Sequence, residues 1–310
     1  MTASILVVGS IAYDDVQTPF ERRRGVLGGA ASYFALAASL YAPVRLVGVI
    51  GEDFRDEDVA RLASRDIDLE GLERRPGRSF HWVGRYDYDM AAAETLATDL
   101  GVFADWRPRV PARFADTPFV FLANIDPDIQ LSLVEQVHAP KALVLDTMNY
   151  WIDYKRESLA RAISRVDVVS LNESEARQFC RTFSIVRAAR EILELGPRAL
   201  VVKRGEYGAT LFTKDETFWA PAYPLEKIQD PTGAGDSFAG GFIGHLARVG
   251  SLTPDELRRA VIHGTVCASF AVETFSVDGI AAATRERIAQ RYRAIRKLVT
   301  IEADALASAG

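Results

Sequence analysis

The densest run of chemistry-bearing residues is Asp230-Pro231-Thr232-Gly233-Ala234-Gly235-Asp236-Ser237-Phe238, continuing through Phe242. Pro231 cannot continue a strand ladder, and Gly233 and Gly235 admit backbone angles that other residues avoid. Beyond them Phe238, Phe242, Ile243, Leu246 and Val249 keep one apolar stripe, which predicts a helix. Gly233, Ala234 and Gly235 then lie at its N-terminus, where uncommitted N–H groups and the positive end of the helix dipole attract an anion. Small side chains let a phosphate approach that backbone closely. Asp236, in the first turn, is placed to take the proton of an alcohol attacking a phosphoryl group held there. The dipole is expected to keep it ionised, so it would act through position rather than basicity. The plainer alternative is a glycine-rich turn before a tightly packed helix; the length of the string favours the phosphate site.

Competing chemistries lack their motifs. No lysine follows a glycine, so there is no Gly-x-x-x-x-Gly-Lys-Ser/Thr loop, and Phe238 stands where a Gly-x-Gly-x-x-Gly fingerprint needs its last glycine. There is no His-Glu-x-x-His, and Cys180 and Cys267 form neither a metal-spacing pair nor a disulfide framework. His81 and His263 have no partner set that indicates nucleophilic or metal chemistry.

The elements that must position this loop alternate along the chain. Short runs rich in Val, Ile and Leu at 5–9, 44–50, 119–123, 142–146, 166–171 and 199–203 read as buried strands. Helical patterns separate them at 30–41, 57–65, 129–138, 154–164, 173–181 and 184–195. Continuous apolar strands alternating with helices predict an α/β fold with a mostly parallel sheet covered on both faces. One region departs from this: Phe80, Trp82, Tyr86, Tyr88 and Met90 alternate with His81, Val83, Arg85, Asp87 and Asp89. That period of two predicts a two-faced strand, and 95–103 reads as its partner, either an exposed edge hairpin or a lid over a cleft.

The chain has 310 residues, 48% of them hydrophobic and 25% charged, enough apolar matter for a large core. A net charge of −5 argues against coating nucleic acid or an anionic membrane. Ser4 to Gly9 reads as a strand rather than a secretory leader, and no apolar run reaches the ~20 residues that cross a bilayer. A soluble, cytoplasmic protein is expected.

The 230–242 string resembles the C-terminal signature of the ribokinase-like (PfkB) carbohydrate kinases, and the likeness extends along the chain. Gly28-Gly29-Ala30-Ala31-Ser32-Tyr33 followed by Val47-Gly48-Val49-Ile50-Gly51-Glu52-Asp53 is similar to the family's N-terminal signature. Gly9-Ser10-Ile11-Ala12-Tyr13-Asp14 resembles its opening strand, Asn172-Glu173-Ser174-Glu175 its Asn-x-x-Glu element, and Val202-Lys203-Arg204-Gly205 the turn before its nucleotide pocket. The resemblance implies one three-layer α/β/α domain over 1–310 with a mostly parallel central sheet, plus a small β lid from strands near 11–25 and 79–103. It implies ATP and Mg2+, with the γ-phosphoryl passed to a hydroxyl of a small sugar or sugar derivative. Asp236 would be the base and Gly233, Ala234 and Gly235 the anion hole, while Asp14, Gly28 and Gly29 would meet the acceptor. Asn172, Lys203 and Gly205 would serve the nucleotide, with Glu175 acting on Mg2+ indirectly. Asp230 and Thr232 match positions that hold a monovalent cation, K+ being the candidate, in some members. Related lids pair into dimers, so a homodimer through the lid is a further expectation.

Tyr33 departs from the pattern, because sugar kinases of this group often have Asn there. A ring offers packing or stacking where Asn offers short polar arms. Stacking on a base keeps a nucleoside acceptor as the alternative. A reading of a different class, a ligand-binding or regulatory protein on the same fold, is disfavoured by the intact Gly233–Asp236 run. Arg85, on the polar face of the lid strand, is a candidate for acceptor hydroxyls or an acceptor anion, as is the run Arg22-Arg23-Arg24. Asn124, Asp126, Asp146 and Asn149 fall at strand C-termini, where α/β sheets form their crevice.

Overall fold

The structure, a computed structural model, describes residues 2–300. Its main sheet has nine strands in the order β13-β12-β11-β10-β9-β8-β1-β4-β5. The strands are β1 (Ile5–Val8), β4 (Val44–Ile50), β5 (Ile67–Arg74), β8 (Phe119–Leu122), β9 (Ala142–Asp146), β10 (Val168–Asn172), β11 (Ala199–Lys203), β12 (Ala209–Thr213) and β13 (Thr217–Ala220). Pairing is parallel from β5 through β11, and β12 and β13 close that edge as antiparallel strands.

Strand alternation divides the core into two layers. Ile5 and Val7 pack with Phe34 of α1 (Ala30–Ala38), Phe242 and Leu246 of α8 (Ala234–Val249), and Val266 of α9 (Pro254–Ala271). Leu6 and Val8 face the other way, toward Leu133 of α3 (Pro127–Val134), Leu159 of α5 (Arg156–Ile163), Phe179 of α6 (Glu173–Cys180) and Ile192 of α7 (Ile185–Glu194). Phe34 and Phe121 stack at 4.3 Å between centroids, binding α1 to the sheet.

Three strands, the short helix α4 (Asn149–Tyr154) and the helices after α8, namely α9, α10 (Asp278–Ala281) and α11 (Arg285–Val299), lie outside the sequence-based assignment. β5 is an edge strand whose partly exposed residues Asp68, Glu70 and Glu73 interrupt the apolar pattern. β12 and β13 form a hairpin at the opposite edge, where β13 has only one neighbouring strand.

A second sheet of four strands, ordered β3-β2-β6-β7, comprises β2 (Ala12–Gln17), β3 (Arg22–Gly28), β6 (Phe80–Tyr86) and β7 (Ala93–Asp99). β7 begins two residues earlier than the expected 95 and ends at Asp99, not 103. There the Asp99 carboxylate accepts the Gly101 N–H at 3.1 Å, and the chain turns into a 3-10 segment, Gly101–Phe103. The expected alternation of β6 also stops at Tyr86, since Tyr88 lies 77% exposed beyond the strand and Met90 takes a positive φ in the following turn. Within the strand Trp82 and Tyr86 do share a face, where they meet Val16 and Phe275.

Candidate active site

α8 begins at Gly233, whose φ of 74° no side chain adopts easily. A Cβ there would stand 2.3 Å from the ring of Tyr33, which rises from α1 and is buried. The loop is therefore pressed between a left-handed backbone and an aromatic floor. Ser237 N–H bonds the Gly233 carbonyl at 2.8 Å, while the amides of Gly235 and Asp236 take no main-chain partner among the described residues. The Gly235 amide is open to an anion, whereas the Asp236 N–H turns to its own carboxylate and the Ala234 N–H, expected in the anion hole, is taken by the Pro231 carbonyl at 3.2 Å.

Asp236 is half-buried beside them. Its carboxyl is more basic than the helix dipole alone would make it. Burial, then the neighbouring charge of Asp146, push it up to about 6 against the opposing pull of Lys203. It remains mostly ionised at neutral pH, but it is a stronger base than an ordinary aspartate.

Asp14 lies on β2, 4% exposed, and β3 delivers Gly28 against it: a Cβ on Gly28 would fall 1.9 Å from Asp14 Oδ2. Burial, followed by the charges of Asp230 and Asp236, raises Asp14 to about 8. Gly29, φ 89°, starts α1, and the Gly9-Ser10 turn holds that start through Ala30 N–H to Ser10 Oγ at 3.1 Å and Ala31 N–H to the Ser10 carbonyl at 2.9 Å. Three sequence-distant motifs thus meet around one cleft.

Asp230 is fully buried and accepts the N–H groups of Thr232 (2.9 Å) and Ser276 (3.3 Å), with no cation paired to it among the described residues. Burial raises its pKa. Across from it the Tyr86 hydroxyl meets Thr232 Oγ1 at 3.1 Å, joining the small sheet to the loop before α8. Tyr86 was visible in the sequence only as a member of a strand face.

The nucleotide-side residues also converge. Asn172 and Glu175 form a reciprocal cap on α6: Asn172 Oδ1 accepts the Glu175 N–H at 2.8 Å and Glu175 Oε2 accepts the Asn172 N–H at 2.7 Å. Glu175 is buried, and desolvation lifts it to about 7 despite Lys203. Lys203 closes β11 and donates to Asp146 Oδ2 at 2.7 Å. Gly205, φ 54°, opens the turn beyond, with clear space where a side chain would go.

Other candidates stand apart. Arg85 points from the opposite face of β6, is exposed, and pairs with Glu94 at 2.6 Å; the structure does not bring it to the cleft. Arg22, Arg23 and Arg24 are exposed, Arg23 pairing with Glu21 at 2.6 Å. Asn124 accepts the Trp151 indole N–H, Asp126 caps α3 and takes Lys155, and Asn149 accepts its neighbour's N–H. Of the four strand-end residues only Asp146 enters the site.

A parallel α/β sheet with an anion-ready helix start, a first-turn carboxylate and a facing buried carboxylate defines a phosphotransferase of the small-molecule kinase class. The chain matches the pfkB family carbohydrate kinase profile over residues 1–282, and it belongs to that family of ATP-dependent kinases. It is 32% identical over 250 residues to the cytidine kinase of Thermococcus kodakarensis, covering 79% of this chain and 88% of that one. Identity to a nucleoside kinase of Methanocaldococcus jannaschii is 25% over 265 residues, covering 83% and 82%. The Burkholderia thailandensis nucleoside kinase, solved in complex with inosine, superposes with a TM-score of 0.77 at 23% identity over 94% of this chain and 97% of that one. The protein is thus a kinase of sugars or nucleosides, with the ribokinase-like fold. No described helix is long and apolar enough to cross a membrane.

Proposed function

We propose that the protein phosphorylates a hydroxyl of a nucleoside with ATP, and that the cleft between Asp14 and Asp236 is where this happens. The observation that carries the site is Asp236 in the first turn of a helix whose Gly235 amide takes no main-chain partner among the described residues, within electrostatic reach of the buried Asp14. The nucleoside is favoured over a free sugar by the names of the relatives, cytidine kinase and nucleoside kinase.

In this reading Asp14 accepts hydrogen bonds from acceptor hydroxyls, and Gly28 lets them approach by leaving its side uncovered. Tyr33 and Tyr86 wall the acceptor side. The attacking hydroxyl gives its proton to Asp236 as its oxygen bonds the γ-phosphorus, while the bond from that phosphorus to the bridging oxygen breaks and ADP carries off the electron pair. The Gly235 amide stabilises charge on the transferred group. Lys203 and Gly205 flank the nucleotide. The small sheet acts as a lid, tied to the loop through Tyr86.

The residues fit Mg2+ and a monovalent cation. Glu175, capped against Asn172, leaves a buried carboxylate facing Asp146, Lys203 and Asp236, and would hold Mg2+ through water; the ion would neutralise phosphate charge. Asp230, buried and without a counter-charge among the described residues, with Thr232 beside it, suits K+.

The test is ADP release across cytidine, other nucleosides and free pentoses and hexoses. Turnover with a nucleoside at least ~10-fold above every sugar is expected. Turnover with free sugars alone would reject the nucleoside in favour of a sugar acceptor, and no ADP release with any acceptor would reject the site reading.

A further inference from the structure

Lys203 is unusual in its surroundings. Its ammonium lies 2.7 Å from Asp146 Oδ2, and a Cβ on Gly235 would stand 3.1 Å from Lys203 Nζ. The lysine therefore rests against the backbone of Gly235, whose amide takes no main-chain partner among the described residues. Its side chain is 17% exposed, so the amine is close to the cleft and still screened from bulk water. Carboxylates surround it: Asp146 from β9, Glu175 from α6 and Asp236 from α8. The adjacent Arg204 is turned away, paired with Glu173 at 3.0 Å. Lys203 pulls Asp236 toward its ionised form.

Asp146 is well placed to release it. Its other oxygen, Oδ1, already accepts the Thr147 N–H at 2.8 Å, so the carboxylate keeps a partner when the lysine leaves. A flexible four-carbon stem allows the ammonium to shift by an ångström or so without moving β11.

We propose that Lys203 is a catalytic cation for the phosphoryl group, parked on Asp146 in the ligand-free chain and transferring its hydrogen bond to the γ-phosphate when ATP enters the cradle. The inference rests on the phosphate-site reading above. Asp146 is a positioning residue, holding the ammonium within reach and restoring it after ADP leaves.

The test compares the parent with Lys203→Met, Lys203→Arg and the double variant Lys203→Met/Asp146→Asn, by calorimetric binding of ATP and of ADP and by turnover with the best nucleoside. Removing a preorganised donor to the transferred group should lower kcat about 100-fold. ATP binding should weaken about 10-fold with ADP binding nearly unchanged, because only the γ-phosphate contact is lost. Lys203→Arg should recover part of kcat. The double variant removes both members of the pair, and their opposing effects on Asp236 go together. It should regain thermal stability relative to Lys203→Met yet stay at least about 30-fold slow. Recovery of kcat to within about threefold of the parent in the double variant would overturn the proposal, because the lysine would then serve only to neutralise Asp146. Equal losses of ATP and ADP affinity would overturn it too. A parent that binds neither nucleotide would sink the kinase site itself, a result distinct from a parent that turns over and a methionine variant that matches it.

Discussion

Gly233→Ala tests the geometry of the anion loop most directly. Two separable penalties meet at this residue. Alanine at φ 74° bears the left-handed cost of about 1–2 kcal/mol. Its methyl would also sit 2.3 Å from the Tyr33 ring, more than an ångström inside ordinary contact, and Tyr33 is 1% exposed with nowhere to retreat. Overpacking of this kind costs about 1–3 kcal/mol, so the total is about 2–5 kcal/mol. Urea unfolding of the parent, Gly233→Ala, Tyr33→Ala and the double variant separates the parts. In the Tyr33→Ala background the ring is gone, and Gly233→Ala should cost only the backbone share, about 1–2 kcal/mol. Turnover should fall in Gly233→Ala, because relief of the clash moves the Gly235 amide that faces the anion. A loss under ~0.5 kcal/mol in the parent background would refute the strained-loop account. The same loss in both backgrounds would refute the role given to the ring.

Asp236→Asn should lower kcat at least about 10³-fold with ATP affinity intact, and the parent's kcat/KM should rise with pH through a limb near 6 that the variant lacks; nucleotide titrations and a pH–rate series check both. Asp14 titrates in the native state at about 8, above the ordinary carboxylate range, so its proton favours the fold at low pH and that stability is lost as pH rises from about 4 toward 8. Asp14→Asn should therefore gain melting temperature relative to the parent between about pH 5 and pH 8 while losing acceptor affinity, and a pH-independent difference would contradict the burial argument. Tyr86→Phe removes the bond to Thr232 and should raise the acceptor KM several-fold with release of ADP in the absence of acceptor. Arg85→Ala, by contrast, should leave kcat and both KM values within about twofold, since its partner Glu94 is equally exposed.

Six buried strands and the α8 start were legible because their signals are local: runs such as Ala142–Asp146 and Ala199–Lys203 are apolar up to their last residue, and Gly233 to Asp236 carries its own turn chemistry. Edge elements were less so. β5 mixes Asp68, Glu70 and Glu73 with Ile67 and Leu72 because one side of it meets solvent. The meeting of Asp14, Asp146, Lys203 and Tyr86 is set by tertiary register, which no spacing encodes. Asp146 showed in sequence only as a strand-end residue, and its ion pair with Lys203 depends on β10 lying between their strands. Arg85 illustrates the reverse case: a period of two assigns residues to faces but does not say which face is covered, and here Trp82 and Tyr86 took the inner one. Nor did the helix dipole argument anticipate Asp146 and desolvation acting on Asp236.

The concentration of carboxylates around the cleft bears on what happens after transfer. Asp230 and Asp236 both raise Asp14, and Asp146 raises Asp236 against the pull of Lys203. A newly made phosphate monoester would sit beside the ionised Asp236 once its leaving group departs, and that repulsion would favour its exit.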